Sequence, residues 1–167
     1  MLKSAFFIEE WTENHPRYSE FLSCLEQTAP DQREFVVGDY SRTHPCYLFV
    51  AWQVNAVVGF LRIAVQPIGP EANCPPLYLK GELLTEAKIH AFAVREESRN
   101  QGIGTALQRA AIQKARTLGC YQVSSYSLYE KAANHQVKLA LGFAAQPEVH
   151  GDTIQGVYFV MPLRIPE

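Results

Sequence analysis

The segment Arg99-Asn100-Gln101-Gly102-Ile103-Gly104-Thr105-Ala106-Leu107 constrains this chain more than any other. It follows an apolar, strand-like run, Lys88 to Val94, and opens a helix-like run. In that run Ile103, Leu107, Ala110, Ala111, Ala115 and Leu118 recur on one face, and Gly119 supplies a C-terminal stop. The first amides of a helix lack intrahelical partners and point outward as donors. The helix dipole adds partial positive charge at the same place. Gly102 and Gly104 present no side chain to an approaching pyrophosphate and accept backbone angles that other residues avoid. Arg99 adds a permanent cation with forked donors. A strand, a glycine-bearing turn and a helix start in this order form a physical device for holding phosphate.

The spacing narrows the ligand. A dinucleotide fingerprint needs G-x-G-x-x-G and a P-loop needs G-x-x-x-x-G-K-[ST]; neither is present. What stands here is Arg-x-x-Gly-x-Gly, with Val94 five residues before the Arg and Leu141-Gly142-Phe143 downstream. This constellation resembles the acyl-coenzyme A pyrophosphate loop and the Gly-Phe pair of the GNAT N-acetyltransferase superfamily. The resemblance is firm over 85–143, loose over 46–84 and 144–163, and the first 45 residues add little. It implies an α/β (α+β) fold, a mixed, mostly antiparallel twisted sheet of six to seven strands flanked by about four helices. It also implies acyl-coenzyme A as cosubstrate.

Composition sets the outer bounds. A chain of 167 residues is the size of one domain, spanning 1–167, and 47% hydrophobic with 19% charged residues is ordinary for a globular protein. The formal net charge is −2 with no basic run, so nucleic acid and acidic membrane surfaces are not expected partners. No apolar run reaches spanning length, and the N-terminus turns acidic at Glu9-Glu10, too soon for a signal peptide. Cys24, Cys46, Cys74 and Cys120 are scattered without a C-x-x-C pair, which points to reduced thiols in the cytoplasm and no metal site.

Periodicity predicts a short strand at Phe6 to Ile8 and a helix from Tyr18 to Gln27. Strands follow over Tyr47 to Gln53 and Ala56 to Val65, joined by a tight turn at Val54-Asn55. Pro67 to Gly81, with four prolines, reads as a loop: either a surface excursion or an acceptor-binding lid with Leu77, Tyr78, Leu79 and Leu83 as an apolar wall. Further strands are expected at Tyr121 to Ser127, from Phe143 onward and at Ile154 to Leu163. A short helix is expected from Ala132 to Leu141, and Pro162 marks an edge position or a strand end.

Acyl transfer to an amine requires a thioester held beside a neutral amine, with donors aimed at the carbonyl oxygen. The resemblance assigns the backbone of Phe92, Ala93 and Val94 to the pantetheine, and Arg99, Asn100, Gln101, Gly102, Ile103, Gly104 and Thr105 to the pyrophosphate. Asn134 either contacts the cofactor or caps a helix. Arg95, Arg109 and Lys114 either neutralise the remaining phosphate or are exposed charges. A base must take a proton from the incoming ammonium. Lys88 stands where the superfamily often has a carboxylate, so Glu86 and His90, which share its strand face, are the candidate bases, with Glu82 more distant. The superfamily often places a Tyr four residues before the Gly of the Gly-Phe pair; here that residue is Lys138. Lys138 can stabilise the thiolate, Tyr126 or Tyr129 can supply the proton, or the thiol can leave unaided, its pKa being near ~8.5. The third option is preferred, with Lys138 expected on a solvated helix face.

The leading expectation is therefore an acetyl-coenzyme A-dependent N-acetyltransferase acting on a primary amine of a small molecule by direct attack in a ternary complex. No Cys sits at the strand–helix junction to argue for an acyl-enzyme. The alternatives are a non-catalytic acyl-coenzyme A-binding, regulatory module and a nucleotide-binding domain with a chance glycine turn. Homodimers are frequent in the superfamily, so a homodimer is compatible with the resemblance.

Overall fold

A computed structural model describes residues 4–38 and 42–164. In chain order the elements are β1 (Phe6–Trp11), α1 (Tyr18–Thr28), α2 (Arg33–Val37), β2 (Cys46–Gln53), β3 (Ala56–Pro67), β4 (Tyr78–Leu79), β5 (Glu82–Leu83), β6 (Thr85–Val94), α3 (Ile103–Thr117), β7 (Gln122–Leu128), α4 (Ala132–Ala140), β8 (Ala144–His150) and β9 (Thr153–Pro162). Seven strands form one sheet in the order β1-β2-β3-β6-β7-β9-β8. The β6–β7 pair is parallel; β1–β2, β2–β3, β7–β9 and β8–β9 are antiparallel. Among the described residues this is the mixed, mostly antiparallel sheet with four α-helices that the resemblance implies. Among the described residues, no helix is long and apolar enough to cross a membrane.

Contacts divide the chain into two units, 1–64 with 90–111 and 65–89 with 112–167. In the first, α1 lays Phe21, Cys24 and Leu25 on a core that includes Trp11, Leu48, Val50, Phe60, Ala91 and Ala93. This is the face that the helical spacing predicts. Phe21 and Phe60, both fully buried, meet edge to face at 5.4 Å. Residues 57 to 64 of β3 are all buried, as in a strand covered on both faces, so its sequence is mostly apolar rather than alternating, with Arg62 the buried charged exception. The β2–β3 hairpin turns on Val54 and Asn55 with φ of 49° and 62°, the primed turn whose twist matches its strands.

The second unit contains a departure from expectation. Pro67 to Gly81 is not a structureless loop. It carries a 3-10 turn at Pro70–Ala72, and β4 and β5 form a small hairpin with Lys80 and Gly81 (φ 50° and 82°) at its turn. Backbone bonds from Ile68 N–H to the Leu84 carbonyl (3.0 Å) and from Leu84 N–H to the Leu77 carbonyl (2.9 Å) close its base. Leu77, Tyr78, Leu79 and Leu83, the apolar wall expected of an acceptor-binding lid, are exposed on this hairpin and its base. The prolines and glycines hid the hairpin, because two-residue strands are too short to show alternation.

Smaller corrections follow the same physics. Leu118 lies beyond the last turn of α3 and is exposed, while Gly119 (φ 74°) provides the predicted stop. The helix α2 has five residues, too few for a periodic signal. Pro162 ends β9, an interior strand, which decides between the two positions expected for it.

Candidate functional site

The turn between β6 and α3 has the geometry of an anion cradle. After a 3-10 turn at Glu96–Ser98, Arg99 is extended, while Asn100 and Gly102 are left-handed at φ 61° and 85°. Left-handed residues in a turn aim successive N–H groups into one concavity. The helix begins with a bond from Ala106 N–H to the Gly102 carbonyl (3.0 Å), so the amides of Ile103, Gly104 and Thr105 precede the intrahelical ladder. A Cβ placed on Gly102 would meet nothing within 4 Å. The glycine is thus demanded by its backbone angle, and the space outside it is open.

The loop is anchored from within. Ile103 and Ser98 are buried beneath it. Gln53 Nε2, at the end of β2, donates to Gln101 Oε1 (2.9 Å) and to the Ser4 carbonyl (2.7 Å). Exposed Arg99 donates from Nε to the Val94 carbonyl (3.1 Å), which ties the loop to the end of the strand assigned to the pantetheine. Arg95 is not an exposed charge. Its backbone N–H donates to the Val58 carbonyl (2.8 Å), its Nε to the Val57 carbonyl (2.9 Å) and its Nη1 to Gln27 Oε1 (2.8 Å).

Phe92 has partners that the sequence does not reveal. Its N–H donates to Gln32 Oε1 (2.8 Å), and its carbonyl accepts from Gln32 Nε2 (3.3 Å). Successive residues of a strand direct their backbone groups to opposite edges. Arg95 N–H and the Ala93 carbonyl lie toward β3, where a Cβ on Gly59 would stand 3.0 Å from that carbonyl. Phe92 and Val94 therefore present their peptide groups to the other edge, where Gln32 and Arg99 meet them. The β6–β7 ladder itself runs only from Glu86 to Ile89 against Gln122 to Ser125.

The two candidate bases are both shielded. His90 is half-buried, with its ring nitrogens screened from solvent and Phe35 6.3 Å away between ring centroids. Glu86, in the second unit, is buried rather than at a solvated strand end. Its carboxylate accepts from Gln66 Nε2 (3.4 Å) and Gln122 Nε2 (3.1 Å). Gln66 also donates to Glu71 (2.7 Å), which pairs with Lys88 at 3.1 Å. The lysine at the family's usual carboxylate position thus belongs to a polar network that includes Glu86. Glu82 is engaged by Arg164, which holds its carboxyl below the usual range.

Lys138 overturns its expected exposure. Its side chain is buried, donates from Nζ to Ser125 Oγ (2.8 Å) and lies 4.9 Å from the centre of the Phe159 ring. Burial, with a smaller push from Lys131, lowers its pKa to about 8. Tyr126 donates to Glu148 (2.6 Å), and that bond chiefly pushes its pKa up to about 12. Tyr129 is exposed. Asn134 lies inside the first turn of α4, whose N-cap residue is Lys131, so the capping alternative for Asn134 does not hold.

A family model described as acetyltransferase (GNAT) family matches residues 6–143, most of the chain and all of the loop just described. The chain belongs to the GNAT acetyltransferase family. A curated relative, aminoglycoside N(6')-acetyltransferase type 1 of Klebsiella aerogenes, is 28% identical over 127 residues, 76% of each chain. Among solved structures, Arabidopsis thaliana NAA60 in complex with a bisubstrate analogue is similar with a TM-score of 0.72 and 14% identity, covering 95% of this chain and 100% of that one. The aminoglycoside N-acetyltransferase AAC(6')-Iy in complex with CoA has a TM-score of 0.64 and 17% identity, covering 91% and 96%. At these identities the structures establish the shared GNAT fold.

Proposed function

We infer that this GNAT-family protein transfers an acetyl group from acetyl-coenzyme A to a primary amine of a small, cationic molecule. The observation that carries the reading is the open cradle formed by Arg99, left-handed Asn100 and Gly102, and the leading amides of α3. It offers the donor set a pyrophosphate requires, with no side chain at Gly102 in the way. Relatives of the same fold have been solved with acetyl-CoA or CoA, which supports the same cosubstrate here.

Acetyl-coenzyme A would supply the activated thioester and leave as the coenzyme A thiol; the chain's residues supply position and charge. Arg99 and the amides from Asn100 to Thr105 hold the pyrophosphate. The outward peptide groups of Phe92 and Val94 hold the pantetheine, and Asn134 is a further contact. Direct attack needs the amine neutral, and Glu86 or His90 takes the proton. The curated relative is named for an aminoglycoside, a polyamine sugar. A net charge of −2 and the buried carboxylate of Glu86 favour a cationic acceptor in the same way.

The test begins with thermal stability in acetyl-coenzyme A, ADP and NAD, since a ligand that binds only the native state raises the midpoint. A rise with acetyl-coenzyme A and little with NAD supports the assignment; no rise at millimolar concentration removes it. Thiol release with aminoglycosides, simple polyamines and free peptide N-termini then identifies the acceptor. Binding without thioester consumption by any amine would establish the non-catalytic reading instead.

Glu86→Gln and His90→Ala separate the candidate bases. The true base variant is expected to lose roughly a hundredfold or more in kcat/KM, the usual worth of a positioned base. It is also expected to lose the acidic limb of the pH–rate profile. Two unaltered profiles would remove both residues from the mechanism.

A further inference from the structure

We propose that Gln32 is a positioning residue that occupies the cosubstrate's place on β6 and yields it when acetyl-coenzyme A binds. The proposal rests on the acetyl-coenzyme A reading above. The Gln32 carboxamide carries one C=O and one N–H2, the polar groups of a strand neighbour. It presents both to one residue: its Oε1 takes the Phe92 N–H at 2.8 Å, and its Nε2 reaches the Phe92 carbonyl at 3.3 Å. Those are the peptide groups that a pantetheine amide would need. Phe92 is buried and Gln32 half-buried, so the bonds are partly shielded from competing water.

The local structure explains how such a residue can be both well placed and displaceable. Gln32 ends the 3-10 turn Pro30–Gln32, after α1 has ended at Thr28 and before the short α2. Its backbone N–H is tied to the Ala29 carbonyl at 3.0 Å, so the chain stays fixed while the side chain rotates. The buried Ala29 and Val36 on either side hold the segment to the core. Arg99 on the Val94 carbonyl is the counterpart one register position along. The two outward-facing peptides of this strand end are thus met by two side chains, one of which belongs to the phosphate loop. Binding exchanges the hydrogen bonds of Phe92 from Gln32 to the ligand, so Gln32 competes with the cosubstrate.

Competition gives a signed prediction. Gln32→Met keeps the side-chain length and removes both hydrogen bonds, leaving the Phe92 peptide unmet in the ligand-free protein. Acetyl-coenzyme A is then expected to bind roughly three- to tenfold more tightly, since removing the competing contact returns the worth of about one net hydrogen bond. Binding of ADP, which has no pantetheine, is expected to stay unchanged. Amide exchange at Phe92 should accelerate in the ligand-free variant and slow to the wild-type ligand-bound rate on adding acetyl-coenzyme A. Gln32→Ala should shift affinity in the same direction and guards against a misfit of Met. Weaker or unchanged acetyl-coenzyme A binding in both folded variants, with ADP binding intact, overturns the proposal. If wild-type protein binds neither ligand, the phosphate-loop reading fails first and carries the proposal down with it.

Discussion

A Gly102→Glu variant is expected to lose acetyl-coenzyme A binding by at least about a hundredfold while remaining folded. Two effects act together and separate by magnitude. The first is conformational: Gly102 has φ 85°, and a side chain there costs roughly 1–2 kcal/mol. In a chain of this size that lowers the melting midpoint by several degrees at about 2–4 °C per kcal/mol. The second acts on the ligand. The space over Gly102 is open to a Cβ, so the new side chain grows outward into the region assigned to the pyrophosphate. Two like charges about 4 Å apart cost about 4 kcal/mol at an effective dielectric of 20, nearly three decades in Kd. Comparison with Gly102→Asn isolates the charge, because Asn adds a side chain of similar polarity, tolerates the left-handed region and is neutral. The Asn variant should retain far more affinity than the Glu variant. Calorimetric titration of both variants decides the matter. Wild-type Kd in a folded Gly102→Glu protein would show that phosphate does not sit at this turn.

This loop was legible in the sequence because its requirements are local. A glycine at a left-handed position, a strand run before it and a helical repeat after it all lie within 88–119, and each leaves a mark on adjacent residues. The sheet followed from runs of β-branched and aromatic residues, and the β2–β3 hairpin was signalled by a two-residue gap at Val54-Asn55. Gln32, by contrast, is one polar residue after a proline turn. Its bonds to Phe92 join residues 60 apart, and no periodicity carries that information. Lys138 misled for a different reason. A lysine on a short amphipathic helix reads as a solvated charge, because lysine is rarely buried without a partner. Only tertiary packing, which brings Ser125 and Phe159 against it, reverses that reading.

The burial of Lys138 has a consequence for stability that can be measured apart from activity. Its pKa falls from 10.5 in the unfolded chain to about 8 in the fold. Below pH 8 the amine is charged in both states, and the folded protein bears the full cost of desolvating it. Between pH 8 and 10.5 the unfolded chain binds the proton and the folded chain does not. Stability from this residue therefore rises with pH across that window. At 1.36 kcal/mol per pKa unit the gain is about 3 kcal/mol. Lys138→Met keeps the apolar stem, removes the charge and gives up the bond to Ser125, worth about 1 kcal/mol. The variant is thus expected to be more stable than wild type at pH 7 by about 2 kcal/mol, a rise of roughly 4–8 °C in Tm. Urea midpoints for the two proteins should draw together as pH rises, cross near about pH 9.5 and leave wild type ahead by about 1 kcal/mol at pH 10.5, where the Ser125 bond alone distinguishes them; the difference between the proteins isolates Lys138 from other groups that titrate in that range. A wild-type protein that stays ahead at pH 7 would mean that the buried amine is stabilising in its charged form. The same variant addresses the leaving group. A thiol with a pKa near ~8.5 departs without help, so turnover is expected to hold within about threefold. A hundredfold fall in kcat in this folded, more stable protein would instead make Lys138 the proton donor to the thiolate.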